Sequence, residues 1–207
     1  MPMDQAALPA AFVLLDYFGI LVFAVSGALL AAQKRQTMVT FIFFAAVTGV
    51  GGGTIRDLLI GAPVFWVHTN WTLLICIFAA LGVWLTSQKK WSGRALVWFD
   101  AAGLAAYATY GAAKSLSFGI APVPAFAMGV MTACVGGIIR DVLAGEPSIL
   151  LKPELYVTAA ALSAGLFVAL VLLGVAGVIA AAIAVVAGFA LRGAAIRKGW
   201  SLPGYTD

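Results

Sequence analysis

Six ionisable side chains stand in stretches that are otherwise almost wholly apolar: Asp16, Arg56, Asp57, Asp100, Arg140 and Asp141. A charge in such surroundings is costly unless it is paired or hydrated. Side chains of this kind line a route for ions, or they form fixed ion pairs that lock helices together, and one cluster can do both. The four aspartates and two arginines leave a net charge of minus two, or minus one with Lys114 included. A cavity with that balance favours a cation over an anion.

Their spacing repeats. A shift of 84 residues places Asp16 on Asp100, Ser26 on Tyr110 and Arg56-Asp57 on Arg140-Asp141. The run Gly51-Gly52-Gly53-Thr54-Ile55-Arg56-Asp57 thereby falls on Val135-Gly136-Gly137-Ile138-Ile139-Arg140-Asp141, and Gly61-x-Pro63 falls on Gly145-x-Pro147. Apolar helices share Leu, Ala and Val by chance. Asp, Arg, Gly and Pro in one register indicate a duplication. The expected clusters are Asp16 with Arg56 and Asp57, and Asp100 with Arg140 and Asp141. Neighbours on a helix project about 100° apart, so the members of each Arg-Asp pair are expected to point in different directions. Ser26 and Tyr110, matched by the repeat, are candidates for lining the same route, although hydroxyls in membrane helices often bond to their own backbone.

Gly49, Gly51, Gly52 and Gly53 sit near the middle of one apolar segment, and Gly136 and Gly137, after Val135, near the middle of another. Each glycine weakens a helix by about 1 kcal/mol relative to alanine, so both segments are expected to kink or break there. A break in hydrocarbon is tolerated where protein or water replaces the lost partners, which points to a shared polar site or pore. The other reading is that these glycines only let helices pack closely.

Other groups carry less. Lys114 is read either as a side chain that snorkels to the outer interface or as a gate. Trp66, Trp71, Trp91 and Trp98 fall at expected membrane boundaries and read as anchors, and His68 as an interfacial residue. Cys76 and Cys134 stand singly, without the paired spacing of a disulfide framework or metal site. The glycine run lacks the Gly-Lys-Ser/Thr of a phosphate loop, and no nucleophile–base set is visible, so neither an enzyme nor a bound cofactor is expected. The formal charge of +4 over 207 residues comes from short basic loops, not from a nucleic-acid surface.

The elements that must position these residues are membrane helices. The chain is 63% hydrophobic and 10% charged, with a mean hydropathy of +1.07, too little charge for a wholly water-facing surface. Seven apolar segments are read at 11–32, 38–61, 70–87, 95–116, 122–145, 155–173 and 176–192, the last two parted by a turn at Gly174 and Gly177. One side of the membrane receives Lys34, Arg35, Lys89, Lys90, Arg94, Lys152, Arg192, Arg197 and Lys198, and the other only Lys114. That segregation places the amino terminus outside and the carboxyl terminus in the cytoplasm. The expectation is a single all-α transmembrane domain over 1–207 in the inner (plasma) membrane. Its repeats, 12–88 and 96–172, hold three crossings each and are therefore inverted, and an extra helix follows at 176–192.

With these residues in view, the chain resembles the trimeric intracellular cation (TRIC) channel family in its prokaryotic branch. The resemblance rests on the doubled Gly-Gly-x-Ile-Arg-Asp motif at 52–57 and 136–141, each followed by Gly-x-Pro, and spans about residues 12–192. It implies a homotrimer in membrane lipid with a pore in each protomer. It also implies kinked second and fifth helices lining that pore, and permeation by potassium and other monovalent cations such as sodium. The lysine–glutamate and phosphoinositide elements of eukaryotic relatives have no match here. The same prokaryotic group looks similar to proteins linked with uptake of glycine or small solutes, which keeps a secondary transporter as the second reading. A scaffold in which the charges serve only as helix glue is the third.

Overall fold

The computed structural model describes residues 8–86, 91 and 94–204. Lys89 and Lys90, expected in a basic loop, lie outside them. Among the described residues seven α-helices follow one another: α1 (Ala10–Gln33), α2 (Met38–Leu59), α3 (Asn70–Leu85), α4 (Ala95–Ser117), α5 (Pro122–Leu143), α6 (Val157–Leu172) and α7 (Gly177–Lys198). A 3₁₀ turn, Ile149–Leu151, precedes α6. Local chemistry sets the boundaries. Thr37 caps α2 through the Thr40 amide, and Thr69 caps α3 through the Trp71 amide. Pro122 opens α5, where its missing N–H is no loss.

Four helices, α1, α2, α5 and α7, are long and apolar enough to cross a membrane. At 22 to 24 residues each they run about 33–36 Å, against roughly 30 Å of hydrocarbon. The helices α3 and α6 are apolar but only 16 residues long. The remaining helix, α4, carries Asp100 and Lys114 and packs against α1, α5, α6 and α7. Every residue from Gly103 to Ser115 is buried, so protein and not lipid surrounds it and it needs no apolar outer stripe.

The contacts come in reciprocal pairs under the 84-residue shift. A Cβ at Gly19 would strike the Tyr107 ring, and one at Gly103 would lie 3.0 Å from the Phe23 ring. A Cβ at Gly52 would collide with the carbonyl oxygen of Thr132, and one at Gly136 would lie 2.5 Å from that of Thr48. The first exchange brings α1 and α4 together, the second α2 and α5.

The second exchange corrects the expectation of glycine-broken helices. Both α2 and α5 are continuous through their glycines. The glycines at 52 and 136 remove side chains so that the two backbones can touch, the packing alternative raised from the sequence. The helix-weakening cost of glycine is offset by the packing of the neighbouring helix.

Gly61 and Gly145 have a different task. With φ of +70° and +67° they end α2 and α5 in the left-handed conformation. The next amides then return to the helix: Ala62 N–H to the Asp57 carbonyl at 2.8 Å, and Glu146 N–H to that of Asp141 at 2.9 Å. The repeated Gly-x-Pro is thus a helix stop that folds the following loop back over the Arg-Asp pair.

Candidate functional site

The two Arg-Asp pairs end up in matching buried clusters. In both, the arginine curls back onto its own neighbour: Arg56 Nε donates to Asp57 Oδ1 at 2.9 Å, and Arg140 Nε to Asp141 Oδ1 at 2.9 Å. The expectation that adjacent side chains diverge is corrected here. The Cβ directions do differ, but an arginine is long enough to fold back. The second carboxylate oxygen of each aspartate holds the returning loop. Asp57 Oδ2 accepts the Phe65 N–H at 3.1 Å, and Asp141 Oδ2 accepts the Ile149 N–H at 3.2 Å.

Around these shared cores the clusters differ. Arg140 Nη1 donates to Asp100 Oδ1 at 2.7 Å and to Ser26 Oγ at 3.0 Å, so the expected group of Asp100, Arg140 and Asp141 is assembled with Ser26 added. In the other cluster Arg56 lies over the Tyr110 ring, 5.1 Å from its centroid, at the position the repeat gives to Ser26. Asp16 makes no ion pair among the described residues, and its Oδ1 is buried without a hydrogen-bond partner. The charges of Arg56, Lys114 and Asp57 are nevertheless its electrostatic neighbours. The expected trio of Asp16, Arg56 and Asp57 therefore forms only as a loose group.

Lys114 replaces Asp16 as the direct partner. Its Nζ is 2.8 Å from Asp57 Oδ1 and 2.9 Å from Oδ2, and it is buried. The snorkelling reading is corrected, because the Asp57 carboxylate draws the ammonium inwards. The repeat places Leu30 opposite Lys114, so Asp141 has no corresponding lysine. Instead a cavity of about 240 Å³ reaches Asp141 and Arg140 from the end of the molecule at which α5 and α7 finish. Leu30, Glu146, Lys152 and Glu154 are among its walls. At the opposite, Lys114 end, a cavity of about 490 Å³ is lined by residues of the 66–77 stretch and meets none of Arg56, Asp57 and Lys114.

The glycines named from the sequence occupy the interface between these clusters. Gly49 accepts the Tyr107 hydroxyl on its carbonyl at 3.2 Å. Gly51 faces Ile139, while Gly52 and Gly136 form the backbone contact already described. Gly53 faces the Phe65 ring, and Gly137 the hydroxyl of Tyr156 and the carboxylate of Asp100. Val135 is half-buried in α5.

Sequence reasoning overlooked several residues. Phe65 lies 5.9 Å from Arg56 and 5.7 Å from Lys114, ring centroid to cation. Its place eight residues after Asp57, matched by Ile149 after Asp141, was the available signal. Trp66, expected as a lipid anchor, also donates its indole N–H to Thr54 at 2.9 Å. Arg192, assigned to a basic loop, lies inside α7, 1% exposed, and pairs with Glu154 at 2.6 Å. The seventh apolar run continues in helical form to Lys198, which carries Arg192 into the protein. Cys76 and Cys134 are buried free thiols.

The sequence model of a family described as glycine transporter matches this chain twice, over residues 13–88 and 97–172. A UPF0126 membrane protein of Vibrio cholerae is 39% identical over 93% of this chain and 82% of its own length. The UPF0126 inner membrane protein YadS of Escherichia coli K12 is 41% identical over 70% of this chain and 72% of its own. A crystal structure of the TRIC trimeric intracellular cation channel orthologue from Rhodobacter sphaeroides superposes with a TM-score of 0.85 at 43% identity, covering 91% of this chain and 98% of that one. A prokaryotic TRIC channel crystallised in 0.5 M KCl gives a TM-score of 0.84 at 27% identity, covering 94% and 100%. With its apolar helices and relatives named as membrane proteins, this is a multi-pass membrane protein. The chain belongs to the TRIC family in its prokaryotic branch, the same group as the UPF0126 membrane proteins.

Proposed function

We propose that the protein is a cation channel, permeable to potassium and other monovalent cations, with a pathway inside each protomer. The observation that carries this reading is the 43% identity and 0.85 TM-score, over 91% of the chain, to a structure described as a TRIC cation channel orthologue. In this reading the protomer is built from two inverted halves, supported by the reciprocal contacts of α1 with α4 and of α2 with α5. It assembles as a homotrimer in membrane lipid. Its amino terminus is outside, because Lys34, Arg35, Arg94, Lys152, Arg197 and Lys198 all gather at the opposite end.

The pathway follows the two buried clusters and passes between α2 and α5. Its conformation here is closed at two levels. The backbones of α2 and α5 touch at Gly52 and Gly136, and Lys114 lies on Asp57 at one end. Lys114 is the gate in this reading: an ammonium seated on the pathway's carboxylate blocks cations both by bulk and by charge. The counterpart half shows that an Arg-Asp cluster stands without such a lysine, since Leu30 takes its place. Lys114→Leu therefore folds and conducts more. Planar-bilayer recording under a potassium gradient tests the proposal. Discrete openings that reverse near the potassium potential, more frequent in Lys114→Leu, support it. Silent bilayers across repeated reconstitutions overturn it.

One observation favours a second reading, the double match to a family described as glycine transporter. A transporter would place a small zwitterion between carboxylate and guanidinium groups and carry it saturably. Uptake of labelled glycine into proteoliposomes that show no potassium current would select it.

A further inference from the structure

The loop after α2 does more than connect helices. Gly61 turns it back, and the Asp57 carboxylate holds it through the Phe65 amide at 3.1 Å. That anchor places the Phe65 ring in the notch where Gly53 lacks a side chain: a Cβ there would come within 2.7 Å of the ring. The ring also lies within cation–π range of Arg56 and Lys114, at 5.9 and 5.7 Å. One aromatic side chain thus covers both cations of the cluster and fills the gap beside them.

The other half shows what the arrangement is for. Asp141 holds Ile149 by the same amide bond at 3.2 Å, but Ile149 carries no ring, and at Gly137 the nearest side chain is the tip of Tyr156, its hydroxyl, beside the Asp100 carboxylate. There the cavity of about 240 Å³ reaches Arg140 and Asp141. With a shared amide anchor, Phe65 lies over both cations of its cluster, whereas Ile149 is one wall of the cavity that reaches Arg140 and Asp141.

We infer that Phe65 is the occluding residue at the Lys114 end of the pathway, and that Asp57 serves as the latch that holds it there, in addition to pairing with Lys114. This rests on the channel reading for its functional meaning, but not for its geometry. Opening that end requires the 61–69 loop to lift Phe65 away from Gly53, which frees Lys114 and Asp57 to meet water together.

Two readouts test the inference separately. In detergent-solubilised protein, the rate at which a small amine-acylating reagent modifies Lys114 is followed by peptide mass spectrometry. Phe65→Ala should raise that rate roughly tenfold, the factor expected when two cation–π contacts of ordinary strength are lost. Phe65→Leu keeps bulk but loses the ring and should fall between. Trp66→Phe removes the indole bond to Thr54 without touching the ring and should leave the rate close to the parent's. In bilayers, Phe65→Ala should raise open probability in the same order.

Unchanged Lys114 reactivity in well-folded Phe65→Ala and Phe65→Leu overturns the occluding role, whatever the currents do. Raised reactivity with no current in any variant, the parent included, supports the seal and overturns the channel reading. Should Phe65→Ala not fold, Phe65→Leu decides: a reactivity equal to the parent's overturns the proposal.

Discussion

The contact between α2 and α5 makes a prediction that can be worked through from distances. Gly136→Ala would place a Cβ 2.5 Å from the Thr48 carbonyl oxygen, whereas ordinary contacts begin at 3.4 Å. The helices must therefore separate by about 0.9 Å, the difference between those two distances, because a helical carbonyl cannot swing aside. Gly51→Ala is the control. Its Cβ would meet the flexible end of Ile139 at 3.3 Å and the Gly136 Cα at 3.8 Å. Alanine stabilises a helix by about 1 kcal/mol over glycine, and comparing the two variants cancels that gain. What remains is the cost of overpacking, about 1–3 kcal/mol, with the upper half expected for a backbone clash. For a chain of this size each kcal/mol is worth about 2–4 °C, so Gly136→Ala should melt about 4–12 °C below Gly51→Ala. The assay is thermal unfolding in detergent, followed by the surviving monodisperse peak in size-exclusion chromatography. Equal midpoints would refute the claim that these glycines serve backbone contact. Gly52→Ala, whose Cβ collides with the Thr132 carbonyl, should be at least as damaging.

Other perturbations follow from the clusters. Arg140→Met removes the partner of Asp100, Asp141 and Ser26 together, and stranding buried carboxylates should cost about 3–5 kcal/mol, read as loss of folded protein in the membrane. At the cavity mouth Lys34 pairs with Glu146, and that hydrogen bond and the lysine charge hold the Glu146 carboxyl below its ordinary range. A depressed carboxyl stabilises the fold above its unfolded pKa and loses that contribution as pH falls through the folded value. The small difference in melting midpoint between parent and Glu146→Gln should thus be constant from about pH 6 to 8 and shrink as pH falls below the ordinary glutamate range. Raised salt should shrink it as well, because the pair is exposed.

The sequence carried the helices and the duplication because both depend on local signals. Apolar length gave seven segments, and the turn at Gly174, with φ of +82°, parts α6 from α7 as expected. The Asp100–Arg140–Asp141 cluster was legible because its members repeat in register. What was lost depends on how far side chains reach and on what lies across an interface. A glycine run looks the same whether it breaks a helix or admits a neighbour's backbone, and only the facing carbonyls of Thr48 and Thr132 decide. Lys114 sits near a helix end, where snorkelling is the ordinary outcome, and only Asp57, 57 positions earlier, reverses it. Phe65 and Arg192 were missed for the same reason, since an aromatic residue in a loop and an arginine near a helix end carry no mark of their partners.

The duplication also explains why the exceptions matter. In the proposed inverted arrangement, two halves with one motif should present two equivalent ends, each closed or each open. Among the positions that touch the clusters, the ends differ at Lys114 against Leu30, Phe65 against Ile149 and Tyr110 against Ser26. If these substitutions set which end is sealed, transplanting one should move the seal. Leu30 borders the cavity that reaches Asp141, so Leu30→Lys places an ammonium where the repeat puts Lys114 relative to Asp57. The cavity of about 240 Å³ gives it room, and Asp141, which Arg140 engages chiefly through one oxygen, has capacity to accept it. The variant should fold with little loss of stability, and its potassium current in bilayers should drop several-fold. Adding Asp141→Asn, which weakens the hold on that lysine, should restore part of the current. A folded Leu30→Lys protein with the parent's current would mean that the lysine on Asp57 is glue and not a gate, and that the difference between the ends has another origin.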